Sequence, residues 1–297
     1  MSTQGLTDVQ SRFRDGAFEI DGSRVHYLEY GDPSQETCVF IHGNRDHCHS
    51  WDLLLESFDK AGFTLPHVVS LDLRGHGDSG WVGPERGYRH EDFVLDVVGL
   101  LRHLEKDAVT LVAHSLGGSM AVVFAGALPE RVKRLVIIEA AGPYGRTEQE
   151  TPELFGRWTR DDGSDTILTY YATVGQAADA IVRRFPLVPN RAAMHMARHG
   201  TRMTPRGLVW KYDPRARNPS YSSFSETQVK AFIERIDCPT LLVFGSDSGY
   251  KESPRYGRVE YFRNKTLVEI PGTGHHVQQE KPDELAAVLI PFLSNHR

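Results

Sequence analysis

The chain has 297 residues, 40% hydrophobic and 25% charged, which is globular composition long enough for one α/β domain with an insertion or for two domains. A net charge of −5 excludes a general nucleic-acid binder, whose footprint would be basic. Three cysteines, Cys38, Cys48 and Cys238, are too few for a disulfide framework and read as free thiols of a reducing compartment.

The N-terminal stretch is polar and lacks the apolar run of a secretory signal, and no segment approaches the ~18 apolar residues of a membrane span. The expectation is a soluble, cytoplasmic protein with no membrane or nucleic-acid partner. Residues 17–30 hold two alternating runs around Asp21-Gly22, a hairpin signal. Residues 37–41 predict a strand, and 50–61 an amphipathic helix with Leu53, Leu54 and Phe58 on one face. A strand at 67–73 leads into a glycine-rich loop, and 90–104 predicts a helix burying Phe93, Val97, Leu100, Leu101 and Leu104. Strands follow at 109–113 and 134–140. Continuous apolar strands alternating with helices predict a mostly parallel, doubly wound sheet covered on both faces.

From residue 142 to about 225 the rhythm breaks. Helical patches are read at 176–185 and at 190–199, the latter capped by Asn190, with few convincing strands. A helix at 226–236, strands at 240–245 and 266–270, and a closing helix at 282–295 complete the chain. The expected organisation is a core of residues 15–142 and 227–297, interrupted by a helical cap at 143–226 that would sit as a lid.

The most informative stretch is Val109-Thr-Leu-Val-Ala-His-Ser115-Leu-Gly-Gly118. A buried strand runs into a serine between small residues, Ala113 and Gly117, and a helix starts at once, the context of a nucleophile elbow. The bland alternative is a serine N-cap at a strand–helix junction. A serine hydroxyl needs a base, and that base a carboxylate. His275, in Pro-Gly-Thr-Gly-His275-His276 after a strand, is the preferred base over His276. Two carboxylates end strands, Asp247 and Glu139, and the residues alone leave both open with Asp247 the first choice. Developing negative charge would be held by the N–H of Leu116 and, through the turn at Gly43, by the N–H of Asn44.

Five motifs in order resemble the α/β-hydrolase superfamily: the loop Phe40 to Asn44, Asp72-Leu-Arg-Gly-His-Gly-Asp-Ser79, the Ser115 elbow, Leu-Pro-Glu-Arg-Val132, and His275 through Glu280-Lys-Pro282. Within it the chain is similar to the capped, epoxide-hydrolase-like and esterase-like branch. The resemblance implies an α/β-hydrolase fold with an inserted cap, and its His-to-Glu280 spacing selects His275. The nucleophile of epoxide hydrolases and haloalkane dehalogenases is Asp, where this chain has Ser115. Some dehalogenases take their acid from the strand end where Glu139 lies.

Residues 183–217 hold nine Lys/Arg and one Asp, and Arg191, His195, Arg198 and Arg202 share a helical face. A solvated lid surface is one reading, and attraction of an anionic small-molecule substrate is the sharper one. Trp158, Tyr170, Tyr171, Trp210 and Tyr212 are candidates to line an acyl pocket. The function expected is a metal-free, cofactor-free serine hydrolase acting on a carboxylic ester or thioester. Its rivals are a C–C bond hydrolase, a cofactor-free lyase or oxygenase, and a non-catalytic ligand-binding member of the fold.

Overall fold

The computed structural model describes residues 9–83, 88–160, 168–217 and 224–294. β1 (Arg14–Ile20) and β2 (Ser23–Gly31) form the expected hairpin, and Asp21 and Gly22 both take positive φ, 50° and 70°. A two-residue hairpin turn that matches strand twist needs this conformation. β3 (Thr37–Ile41), β4 (His67–Leu71), β5 (Val109–His114) and β6 (Val132–Ile138) follow, with α1 (Asp52–Lys60), α2 (His90–His103) and α3 (Ser115–Ala127) between them. The insertion adds α4 (Glu150–Arg160), α5 (Val174–Arg184), α6 (Asn190–Gly200) and a hairpin of β7 (Thr201–Thr204) and β8 (Gly207–Trp210). The chain then returns through α7 (Glu226–Glu234), β9 (Thr240–Gly245), β10 (Lys265–Ile270), α8 (Val277–Glu280) and α9 (Pro282–Ser294).

The large sheet is ordered β1-β2-β4-β3-β5-β6-β9-β10, antiparallel through β4 and parallel from β4 onward. The chain steps from β3 outward to β4, then returns to lay β5 on the opposite side of β3. The C-terminal ends of β3 and β5 therefore flank a topological switch point, where open α/β sheets bind ligands.

Strand parity explains why these apolar runs are continuous. Val39, Ile41, Leu111, Ala113, Leu135 and Ile137 face one core with Phe93 and Val97 of α2 and Phe124 of α3. Their neighbours Cys38, Phe40, Val112, Val136 and Ile138 face the other, against Leu54 and Phe58 of α1 and Leu285 and Leu289 of α9. Alternate residues point to opposite faces, so burial on both sides requires every residue to be apolar. Each fully buried aliphatic or aromatic side chain is worth about 1.5–3 kcal/mol.

The insertion has a small core of its own. Ala177 and Ile181 of α5 meet Ala192, Ala193 and Met196 of α6, and Leu53 of α1 joins them, seating the insertion on the sheet domain. Two local expectations are corrected here. Asn190 does not cap α6; it is the first helical residue, and Pro189 holds the cap position without a side-chain bond. The hairpin β7–β8 was not expected, because four-residue strands are too short for an alternation signal, and its turn depends on Gly207 at φ 119°.

Candidate active site

β5 ends at His114, and Ser115 opens α3 with φ 49°, a conformation costly for a residue with a Cβ. The backbone crowds itself on both sides of this turn. A Cβ on Gly117 would lie 2.6 Å from the carbonyl oxygens of Ile41 and His42. One on Gly43 would lie 2.7 Å from His114 Nδ1 and 3.2 Å from the Ser115 Cβ. Glycine at these two positions is what allows the β3 loop to approach the serine.

The imidazole of His275 spans the gap between serine and acid. Its Nε2 is 3.0 Å from Ser115 Oγ, and its Nδ1 is 3.2 Å from Glu139 Oε2. Glu139 directly follows β6, at φ 56°, and its side chain is wholly buried. Oε1 accepts the Gly245 N–H at 2.7 Å, and Oε2 also accepts the Ser248 hydroxyl. The first choice of acid, Asp247, is therefore corrected. It is exposed, and its carboxylate accepts from Ser246 Oγ at 2.7 Å. The turn after β9 directs Ser248 inward to Glu139 and Asp247 outward. His276 is buried against the Phe185 ring, 4.2 Å between centroids, and burial pulls its pKa down to about 3.

The loop bearing His275 is held by its backbone. His114 Nε2–H donates to the His275 carbonyl at 2.8 Å, and burial keeps that imidazole neutral. Glu280 accepts the N–H of Gly274 and, at 3.1 Å, that of His276. His42 does the same for the β3 loop. Its Nδ1–H donates to the Gly43 carbonyl at 2.7 Å, and Nε2 accepts the Leu73 N–H at 3.1 Å. Burial lowers the His42 pKa to about 3, so this neutral tautomer persists at physiological pH. Asp72 accepts from the N–H groups of Cys48 at 2.7 Å and Asp78 at 2.9 Å, so its motif organises loops. His114, Ser248 and His42 were not singled out for these bracing roles, although His114 directly precedes the serine and His42 opens the β3 loop.

A cavity of about 450 Å³ opens over Ser115 and His275, with Asn44 and Leu116 in its wall. Leu116 is the second residue of α3, so its N–H belongs to the helix's first-turn donors, which have no intrahelical acceptor. The lid cations singled out in the sequence do not line this cavity. Arg191 pairs with Glu56 at 2.6 Å, His195 is buried with its Nε2 3.1 Å from Asp52, Arg198 is exposed, and Arg202 covers Trp81. Among the described residues, the cations that do line it are Arg146 and Arg255. Tyr171, Trp210 and Tyr212 line a separate pocket of about 180 Å³, Tyr170 lies under Arg206, and the side chain of Trp158 is outside the described residues. Among the described residues, three groups of side chains have metal-capable atoms within 4.8 Å of one another, His26–Cys48–Asp72, Asp46–His114–His276 and His49–Asp52–His199. None of them includes Ser115, His275 or Glu139.

A family model described as "Alpha/beta hydrolase family" matches residues 38–288. A Drosophila melanogaster protein named "Probable serine hydrolase" is 27% identical, over 89% of this chain and 82% of its own length. "Epoxide hydrolase 3" of Xenopus tropicalis is 26% identical, over 92% of this chain and 75% of its own. The crystal structure of the hypothetical protein PA1622 from Pseudomonas aeruginosa PAO1 superposes with a TM-score of 0.86 at 25% identity, covering 95% of this chain and 99% of that one. No helix among the described residues is long and apolar enough to cross a membrane. The chain belongs to the alpha/beta hydrolase family.

Proposed function

We propose that this hydrolase cleaves a carboxylic ester or thioester of a small molecule through an acyl-enzyme on Ser115. The observation that carries the reading is the Ser115–His275–Glu139 chain of contacts, 3.0 and 3.2 Å, at the floor of a cavity. His275 Nε2 takes the Ser115 proton as Oγ attacks the carbonyl carbon, and the N–H groups of Leu116 and Asn44 receive the oxyanion. The imidazolium then gives its proton to the leaving alkoxide or thiolate. Water repeats the sequence on the acyl-enzyme and releases the acid. Glu139 holds the Nδ1–H throughout and stabilises the charge that the ring acquires.

Chemistry separates this from epoxide opening. A carboxylate attacking an epoxide carbon leaves an ester, which water can cleave. A serine alkoxide would leave an ether, which this site has no means of cleaving. A serine nucleophile fits an acyl carbon. The test is labelling by a fluorophosphonate with mass-spectrometric mapping. Stoichiometric modification of Ser115, abolished in Ser115→Ala, is expected. A folded protein that stays unlabelled while binding a small ligand would favour the non-catalytic ligand-binding reading.

A further inference from the structure

We propose that Arg255 and Arg146 form an anion subsite in the Ser115 cavity, so that the ester cleaved carries a carboxylate remote from its scissile bond. The proposal rests on the serine-hydrolase reading above and extends it to the class of substrate.

The two guanidinium groups flank one ring. Arg255 Cζ lies 3.7 Å from the centroid of Tyr144, and Arg146 Cζ lies 5.6 Å from it. Tyr250 lies on the cavity wall 4.8 Å from the same Arg255 carbon. Stacking of this kind fixes the plane of a guanidinium and leaves its N–H edge free to bind a carboxylate with two parallel hydrogen bonds.

Neither cation is neutralised in the way the buried Arg74 and Arg258 are. Arg74 has Asp96 and Arg258 has Glu226, and even the exposed Arg191 has Glu56. Arg255 has no ion pair with a carboxylate among the described residues, and its Nε makes a 3.4 Å contact with Ser253 Oγ. Arg146 reaches only the half-exposed Glu150, at 3.7 Å, and its Nε is buried without a hydrogen-bond partner. Among the described residues the one carboxylate on the cavity wall, Glu139, is committed to His275, Gly245 and Ser248. Glu226, which lies against the backbone at Gly145, is committed to Arg258. Two cations in a concave, partly desolvated site with no free acid focus a positive potential on whatever enters. A substrate carboxylate supplies the missing counter-charge.

The test compares two ester series at matched chain length: monoethyl esters of the diacids from succinate to suberate, and ethyl esters of the corresponding monoacids. Wild-type protein is expected to favour the anionic member of at least one pair by about tenfold or more in kcat/KM. Arg255→Met should lower that anionic-to-neutral ratio by about tenfold, and Arg255→Lys should restore part of it, because a charge without the planar fork recovers only part of the bond. Arg191→Glu, on the lid but off the cavity, should leave the ratio where it is. A wild-type ratio near one at every length, or a ratio unmoved by Arg255→Met in a variant with wild-type thermal stability, overturns the proposal. Failure of the hydrolase reading shows separately, as absence of fluorophosphonate labelling at Ser115. In that event calorimetry of the free diacids with Ser115→Ala decides the subsite. Binding weakened by Arg255→Met supports it, and binding that is absent or indifferent to Arg255 overturns it.

Discussion

Replacing Glu139 by glutamine isolates the acid's contribution while keeping its shape. The amide oxygen has one suitable place, on the Gly245 N–H that Oε1 now accepts at 2.7 Å. The NH2 group then occupies the position of Oε2, facing His275 Nδ1, now 3.2 Å away, and the Ser248 hydroxyl. An N–H donor facing Nδ1 selects the tautomer with its hydrogen on Nε2, which points a proton at Ser115 Oγ where a lone pair is needed. Restoring the productive tautomer sets two donors against each other inside the protein. Losing a charge-assisted bond and leaving a buried donor unmatched together cost about 3–5 kcal/mol, or roughly 150- to 5,000-fold in rate. The assay is kcat/KM on a nitrophenyl ester, with the rate of fluorophosphonate labelling as a second readout and thermal unfolding as the fold control. Asp247→Asn, on an exposed side chain, is expected to stay within about twofold of wild type. A larger loss from Asp247→Asn than from Glu139→Gln refutes the assignment, as does a glutamine variant keeping more than about a tenth of the activity.

Acid should weaken the fold well above the usual carboxylate range. Burial lowers the pKa of His42 and His276 to about 3, of His47 and His76 to about 4, and of His114 well below normal, while burial raises Asp46 and Asp96 to about 6. His199 is lowered as well, to about 2, chiefly by burial. Between about pH 6 and 4 the unfolded chain holds protons at these histidines that the folded chain lacks, more than the two raised acids bind in the folded state, so stability falls as the pH drops. Calorimetric midpoints that stay level from pH 7 to about 5 would contradict this. Gly117→Ala forces a Cβ against two carbonyl oxygens and should cost about 1–3 kcal/mol together with most of the labelling rate, read by melting temperature and mass spectrometry. Asp96→Ala strands the Arg74 guanidinium, whose Nε it binds at 2.8 Å, and should lower stability by about 3–5 kcal/mol in urea titrations.

The contact between Ser115 and His275, the proposed nucleophile and base, was legible because their signals are local. An apolar strand, a serine between small residues and a helix lie within one short stretch, and the His275 loop follows a strand at a telling distance from Glu280. The acid was not. Two strand ends each offered a carboxylate, and only the rotation of the turn after β9 decides that Ser248 points inward and Asp247 outward. Charge was legible as a quantity but not as a direction. The basic segment 183–217 is real, yet Arg191 finds its partner in Glu56, 135 residues away, and Arg202 lies over Trp81. Arg146 and Arg255 come from segments without a comparable excess of basic residues, and only the fold brings Arg255 to Tyr144, two residues before Arg146.

The acid's position also bears on how the site is held before any substrate arrives. Ser115 and Glu139 directly follow neighbouring strands, β5 and β6, and both sit at positive φ, a conformation that costs of order 1–3 kcal/mol at each. The surrounding bonds offset that strain. The Glu139 N–H donates to Val243 of β9 at 2.9 Å while its carboxylate accepts from Gly245, so the residue is stitched twice to the adjacent strand. On the other side His114 and Glu280 fix the backbone around His275. An acid on a flexible loop after β9 would have to be ordered with the histidine. An acid held by the sheet leaves only the imidazole ring to be placed, and that ring already contacts both of its partners. The reorganisation needed for proton transfer is then confined to the substrate and its water, which is the condition for preorganised electrostatic catalysis.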